Sequence, residues 1–471
     1  MERVLEECSR VALDLAPDPV HDLRVALRRC RSLADGIRVI DPDPAWKQMR
    51  KAGKRLFGSL GELRDIQVME EWIQRLAPAD DSLSIHLMPF LELRESELKA
   101  TAAVAVREFD SKQWSRWAHL LPRRASRLKP GSTVFRHLAL EQMTEALRLQ
   151  RAAVRSGSAT SYHRLRIGLK RFRYTVENFL PQQHMQWKKS LKELQDLLGE
   201  VHDLEVLRDT AVRANAFPTE EARSHWQSII AHEQAARIEQ YRQKMTGRNS
   251  LWRSWRAELP AGRDIELAAL NRLQLWAAFR DPDQQHSTRV ARFATQLYDG
   301  LAASKRGSGL SSRDRDILRI AAILHDVGRS ERERGHHKIS YRLISQMRPP
   351  LGYRGEELRT AAIAARYHRG GLPRTGQKTL AELLPVERYS ALRIAAILRL
   401  ANAFDADHNG RIRRLQLESE NGAFVIAAEG YSARERIAVT IAAARHLLER
   451  VYRRPVIVRA LRTRRSAVRR S

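Results

Sequence analysis

Cysteine is nearly missing from this 471-residue chain. Cys8 and Cys30 are the only two, too few for a disulfide framework and without metal-ligand spacing, so a reducing, cytoplasmic setting is expected. Long apolar runs are missing as well. No stretch of about 18 apolar residues occurs, which argues against a transmembrane helix, and no membrane partner is expected. The first twenty residues alternate charged and apolar groups without a continuous apolar core, which reads against a signal peptide. Acidic residues are scarce beside basic ones: 55 Asp and Glu against 84 Lys and Arg give a formal charge of +29. That excess points to a polyanion or an acidic surface as partner, without saying which.

Against these absences stands HDLRVALRRCR, residues 21–31. Read as a helix, it sets His21, Arg24, Arg28 and Arg31 on one face, at steps of three, four and three, with Arg29 beside them. Like charges at this spacing repel one another. A stripe roughly 15 Å long suits a chain of anions better than one carboxylate. A solvated basic face is the plainer alternative for a single such helix. HRLRIGLKRFR (163–173) then repeats the spacing with His163, Arg166, Lys170, Arg171 and Arg173. LGELRDIQV (60–68) recurs as LGEVHDLEV (198–206), and Lys51 and Lys54 recur as Lys189 and Lys192. Solvated faces have no reason to recur in the same order, so an internal duplication is the economical reading, with both basic helices facing a common groove or channel.

In chain order, Asp18-Pro19 is expected to cap the first basic helix and the prolines at 42 and 44 to stop it. Helices follow at about 45–76, at 83–121 with a break at Pro89, and at 133–154. After a short joint, Ser161 is expected to cap the second basic helix, followed by helices near 183–215 and 218–245. Residues 251–263 read as an inter-domain linker in which Trp252 and Trp255 pack between domains. From 264 histidines gather: His286, then His325-Asp326 closing an apolar helix capped by Ser312, then His336 and His337, then His368, then Asn402 and Asp405. Imidazoles and a carboxylate at successive helix ends are the types a divalent metal takes. An isolated buried histidine is more often structural, but burying an adjacent His-Asp pair with no partner is costly. Beyond Gly410 the pattern becomes that of a hairpin through Asn421-Gly422, a helix at 433–452 and a strand at 455–461, ending in a basic tail.

The duplicated basic segments resemble the CHAD family, the conserved histidine α-helical domain. Its signature is a His-x-x-Arg-x-x-x-basic-basic-x-Arg helix in two copies, each followed by LG-x-x-x-D. The resemblance spans roughly residues 1–250, and the halves run about 1–155 and 156–250. It implies two pseudo-symmetric four-helix halves around a basic cavity, with inorganic polyphosphate as ligand. The cations it implies are His21, Arg24, Arg28, Arg29, Arg31, Lys51, Lys54 and Arg64 in the first copy. In the second they are His163, Arg166, Lys170, Arg171, Arg173, Lys189 and Lys192. The second copy departs at His202 for Arg64 and Lys170 for Arg28.

Residues 264–430 resemble the HD phosphohydrolase superfamily, and in particular the C-terminal HD-type domain of the exopolyphosphatase and guanosine pentaphosphate phosphatase family. The blocks are AAILHDVGR, GHHKISYRLI, ARYHRG and LRLANAFD. The resemblance implies a divalent ion of the Mg²⁺ or Mn²⁺ type on His286, His325 and Asp326, with His336, His337 and His368 as candidates for a second site. It implies catalytic roles for His325, Asp326, Lys338 and His368, and phosphate contacts from Lys338, Arg366 and Arg369. The final metal aspartate of the family falls on Asn402, a neutral and poorer ligand, with Asp405 as a possible substitute. Ile339 replaces another family histidine, and the glycine-rich phosphate-binding sequence of that family's actin-like domain is not found.

The expectation is therefore a mostly α protein. A duplicated four-helix CHAD-like bundle (1–250) precedes an α-helical HD-type domain (264–410) and a small α+β extension (411–471). Polyphosphate is the expected partner, with a nucleotide-like phosphorylated substrate open at the HD-type domain and an association with polyphosphate granules. Two rivals stay open. One is a non-catalytic polyphosphate adaptor with a degenerate HD domain. The other is a nucleic-acid binder, disfavoured because the basic helices carry no aromatics beyond Phe172 and Tyr174.

Overall fold

Leucine and alanine at helical spacing turn most of the chain into helices, eighteen among the described residues, beside three short strands. The computed structural model describes residues 1–77, 80–304, 310–374 and 376–461, so the basic tail expected after 461 lies outside them. The chain divides into two compact units, Met1–Asp264 and Ile265–Ser471. No helix of the described residues is long and apolar enough to cross a membrane.

The first unit holds α1 (Glu2–Leu13), α2 (Pro17–Ile37), α3 (Pro44–Leu76), α4 (Ser82–Arg107) and α5 (Ser111–Ala125), then α6 (Thr133–Ser156), α7 (Ala159–Phe179), α8 (Pro181–Arg213), α9 (Glu220–Met245) and α10 (Leu251–Ala257). Helix α1 packs on α2, α2 on α3 and α3 on α4; α6 packs on α7, α7 on α8 and α8 on α9. The repeat is thus α1–α4 and α6–α9, with the basic helices second in each copy. Helix α6, which the sequence places at the end of the first half, opens the second. The copies meet where α2 packs on α7 and α3 on α8.

Several expected boundaries move. Pro17 occupies the first turn of α2, so Ala16, not Asp18, is the N-cap. Ser158 rather than Ser161 caps α7, its hydroxyl accepting from Ser161 N at 3.3 Å. Pro89 lies inside α4. The leucines at 83, 87, 91 and 98 are buried on both sides of it, and at about 1.5–3 kcal/mol each they outweigh a proline penalty of about 3 kcal/mol. The chain breaks instead at 108–110, where the Asp110 carboxylate accepts from Gln113 N at 2.8 Å and starts α5. The expected linker begins as helix α10, and its tryptophans pack within the first unit: Trp252 and Trp255 lie 6.0 and 5.4 Å from the Phe172 ring.

The second unit holds α11 (Arg263–Ala278), α12 (Gln284–Ala303), α13 (Ser312–Leu324), α14 (His336–Ser345), α15 (Gly355–Tyr367), α16 (Lys378–Ala381), α17 (Pro385–Ala403), β1 (Arg414–Glu420), β2 (Ala423–Glu429), α18 (Arg436–Tyr452) and β3 (Val456–Ala460). Ser311, one residue before the expected Ser312, makes the capping box of α13 with Asp314. Ala321, Ala322, Ala361, Ala362, Ala364, Ala365, Ala395 and Ala396 are completely buried. Such small side chains let α13, α15 and α17 approach closely, which gathers their C-terminal ends. Strands β1 and β2 form the expected hairpin, with Asn421 and Gly422 at positive φ. After α18, β3 returns parallel to β2.

Candidate functional sites

The basic cavity of the first unit lies between the two copies. Its volume is about 210 Å³, and Arg24 and Arg28 from α2 meet Arg166 and Lys170 from α7 in its wall. Asp65 of α3 and Asp203 of α8, the aspartates of the repeated LG-x-x-x-D segment, line it too, with Phe57 and His202. A side chain at Gly61 would place Cβ 2.8 Å from Arg24 Nη1, so the glycine of that segment leaves room for the guanidinium. Burial lowers Arg24 to about 10, and Arg28, Arg64 and Arg166 push in the same direction against Asp65. Burial, then Arg166 and Arg28, brings Lys170 down to about 7. Burial raises Asp203 to about 6 despite Arg166. Arg24 Nη1 and Arg166 Nε are buried without a hydrogen-bond partner among the described residues, an arrangement that costs free energy until an acceptor arrives.

The remaining expected cations divide by position. Arg29 and Arg173 both turn to Glu177, at 3.0 and 3.9 Å. Arg31 lies over the Phe57 ring at 4.6 Å, and Arg64 pairs with Glu71 at 3.0 Å. His163 Nδ1 sits 3.3 Å from His202 Nδ1; burial and then Arg166 lower both, His202 to about 4. His21 is exposed near Arg64 and Arg28, while Lys51, Lys54, Arg171, Lys189 and Lys192 are exposed on their helices. Of the fifteen expected cations, four therefore face the cavity together.

In the second unit, five of the expected residues converge at helix ends. His325 closes α13 and His368 closes α15, and each ring faces the carbonyl three residues earlier: Nδ1 is 2.7 Å from Ala322 O and 2.7 Å from Ala365 O. His336 at the start of α14 does likewise with Glu333 O at 2.8 Å. His286 Nδ1 instead meets Asp405 Oδ2 at 2.8 Å. A carbonyl or carboxylate only accepts, so each Nδ1 carries a proton and donates it, and each ring turns its Nε2 inward, where a neutral imidazole offers its lone pair. Burial keeps His325 and His368 below the ordinary histidine value. The lone pairs face one another, His286 to His325 at 3.4 Å and His336 to His368 at 3.4 Å.

Asp326 stands between the two pairs. Its Oδ1 lies 3.0 Å from His336 Nε2 and 3.5 Å from both His325 Nε2 and His368 Nε2, yet it has no hydrogen-bond partner among the described residues. Its Oδ2 is 4.0 Å from His286 Nε2 and 3.3 Å from Arg329 Nη1. His286, His325 and Asp326 thus form one group able to hold a metal ion, and Asp326, His336 and His368 another. An orphaned carboxylate oxygen among inward lone pairs repels itself unless a cation lies between, so the donor set fits divalent metal. Gly328 makes the arrangement possible: a Cβ there would lie 2.4 Å from His336 O and 2.6 Å from Ser340 N.

Asn402 sits where the resemblance puts a metal aspartate, its Oδ1 3.0 Å from His286 Nε2. Asp405 does not substitute. It lies on the Nδ1 side of His286 and is tied at 2.8 Å to Arg289 Nε, so it orients the imidazole. His337 falls outside both metal groups. Burial, then Arg366, His336, Arg369 and Lys338, lowers it to about 4, which places those three cations around it; Lys338 and Arg369 are exposed. Sequence reasoning passed over His408, stacked 3.9 Å from His286 and paired with Asp283 at 2.7 Å, and over Arg329. His408 could not be found by helical spacing because it lies in the loop after α17, at positive φ.

Residues 1–212 match the CHAD domain, and residues 273–429 match domain III of the Ppx/GppA phosphatases. No curated protein matches the chain. A CHAD-like segment and a Ppx/GppA-like segment are thus joined in one polypeptide.

Proposed function

We propose, from that pairing, that the chain binds inorganic polyphosphate in the cavity of its first unit and hydrolyses a phosphoanhydride or phosphoester at an HD-type metal centre in its second. The observation that carries the binding is the pair of buried, unpartnered guanidinium nitrogens, Arg24 Nη1 and Arg166 Nε, contributed by opposite copies. Phosphate oxygens are the acceptors such forks bind best. A chain of phosphates, unlike a single carboxylate, has acceptors enough to leave the cavity for the exposed lysines of α3 and α8.

At the second site, His286, His325, Asp326, His336 and His368 would hold the metal, with Asn402 completing the first group. Divalent ions there supply Lewis-acid activation of water and neutralise phosphate charge. The chain itself fixes the geometry. The four Nδ1–H donors lock each imidazole in the tautomer that ligates, and Asp405 with Arg289 holds His286 in line. Lys338, Arg366 and Arg369 receive the substrate's phosphate oxygens, and Arg329 holds Asp326. In the hydrolysis, water adds to phosphorus and the bridging oxygen leaves with a proton.

Asn402 favours a second reading, a polyphosphate adaptor whose metal site is weak, because a neutral ligand compensates less of a cation's charge. Metal content and hydrolysis of polyphosphate and nucleoside phosphates, measured together, separate the two. Substoichiometric metal in the wild type, rising with activity in Asn402→Asp and lost in Asp326→Ala, is expected of the enzyme. Polyphosphate binding without metal or hydrolysis in either protein would leave the adaptor.

A further inference from the structure

A second cavity of about 930 Å³ lies in the second unit, between the start of α17 and the end of α18. It is far from the histidine cluster. Tyr389 lines it near the first turn of α17, and Asn402 lies thirteen residues on, roughly 20 Å along the helix. Three arginines reach its wall, Arg374, Arg450 and Arg453, and among the described residues no acidic side chain does. All three are exposed, and among the described residues none has an ion-pair partner. Other arginines of this unit are matched, among them Arg313 with Glu357 and Glu266, and Arg315 with Asp299.

The rest of the wall is not phosphate chemistry. Leu392 and Leu447 give it an apolar floor. Tyr389 has half of its surface open, and the Arg393 guanidinium lies 4.7 Å from its ring centroid, which holds the ring as a platform. Tyr452 also lines the cavity; its ring packs edge-on against Phe424 at 5.6 Å, and its hydroxyl is buried without a hydrogen-bond partner. An inorganic anion would leave the floor and the open Tyr389 ring unused. An apolar ligand would leave three guanidinium charges unmatched. A ligand with a flat heteroaromatic part and several phosphates satisfies all of them, and the volume lies within the roughly 300–1,000 Å³ of small-molecule sites.

We infer that this cavity is a nucleoside di- or triphosphate site, separate from the polyphosphate cavity and from the metal centre. The base stacks on Tyr389 over the leucine floor, and Arg374, Arg450 and Arg453 take the phosphates. The site stands whether or not the first unit binds polyphosphate.

Titration calorimetry on the full chain, in chelator so that metal-bound phosphate plays no part, tests it with ATP, adenosine and tripolyphosphate as probes. In the Arg24→Glu chain, whose basic cavity is expected no longer to take phosphate, ATP is expected to bind about tenfold or more tighter than either fragment. Arg450→Glu with Arg453→Glu is expected to weaken ATP about tenfold or more, while Arg24→Glu leaves ATP unchanged. Tyr389→Ala, at a half-exposed position that spares the fold, should weaken ATP and leave tripolyphosphate as it was. Polyphosphate binding and circular dichroism of the same variants report folding. ATP binding that vanishes with Arg24→Glu and survives at Arg450 and Arg453 would assign it to the other cavity. Equal affinity for ATP and tripolyphosphate in the Arg24→Glu chain, or no ATP binding, would also overturn the inference.

Discussion

Lys170 shows what a single side chain contributes to the basic cavity. It stands among Arg24 and Arg28 of α2 and Arg166 of its own helix, with Asp203 as its main counter-charge. Burial comes first and these neighbours second in lowering it from 10.5 to about 7. Between those values the unfolded chain binds the proton and the folded chain does not, so this group alone makes the fold more stable as pH rises through that window. On the proposed reading, a polyphosphate chain in the cavity would reverse the local charge and draw the proton back. Binding near pH 8, that is, between about 7 and 10.5, is therefore expected to take up protons, seen as calorimetric enthalpies that change with the buffer's ionisation enthalpy. Lys170→Gln should abolish the uptake while weakening binding. Enthalpies independent of buffer would mean that Lys170 keeps its proton in the empty cavity. The identity of these cations could be read from the sequence, since both copies print the same spacing. Their state could not, because it depends on burial and on Asp65 and Asp203, which come from other helices.

Among the elements, α2 marks where legibility stops. Helical spacing correctly put Arg24 and Arg28 together, but spacing along one helix does not reveal what faces it. Arg29 turns to Glu177 of α7, and Arg31 turns to Phe57 of α3. Pro89 misled for a similar reason: the leucines that hold α4 together across it act through tertiary packing, which a local rule cannot weigh. The turn after α13 carries the same lesson into the histidine cluster. His325 and Asp326 are legible as a pair, but their closeness to His336 rests on Gly328, where backbone of α14 leaves no room for a methyl group. Gly328→Ala should destabilise the protein by about 1–3 kcal/mol through forced backbone shifts, and lower metal loading along with it. Gly355→Ala, at a glycine with open space around its Cβ position, is the control and should do neither. Urea denaturation with metal analysis reads both outcomes. Equal stabilities for the two variants would show that the turn yields without cost.

For the molecule as a whole, duplication matters because one cavity draws its cations from both copies. Arg24 and Arg28 come from α2, Arg166 and Lys170 from α7. Arg24→Glu and Arg166→Glu are each expected to remove most of the affinity, and the double variant should lose less than the sum, since both act on one bound segment. Chain length adds a second layer. The exposed Lys51, Lys54, Lys189 and Lys192 lie on α3 and α8, the helices that also carry the cavity's aspartates. A tripolyphosphate that fills the cavity cannot reach them, whereas a long chain held there meets them at high effective concentration. Reversing all four lysines to Glu should thus leave tripolyphosphate binding near its wild-type value and weaken long chains strongly. It should also flatten the salt dependence of long-chain binding, because fewer condensed counterions are released. Loss of short and long chains to the same extent would place the lysines inside the cavity's own energetics, and a long-chain affinity untouched by the reversal would confine polyphosphate to the cavity alone.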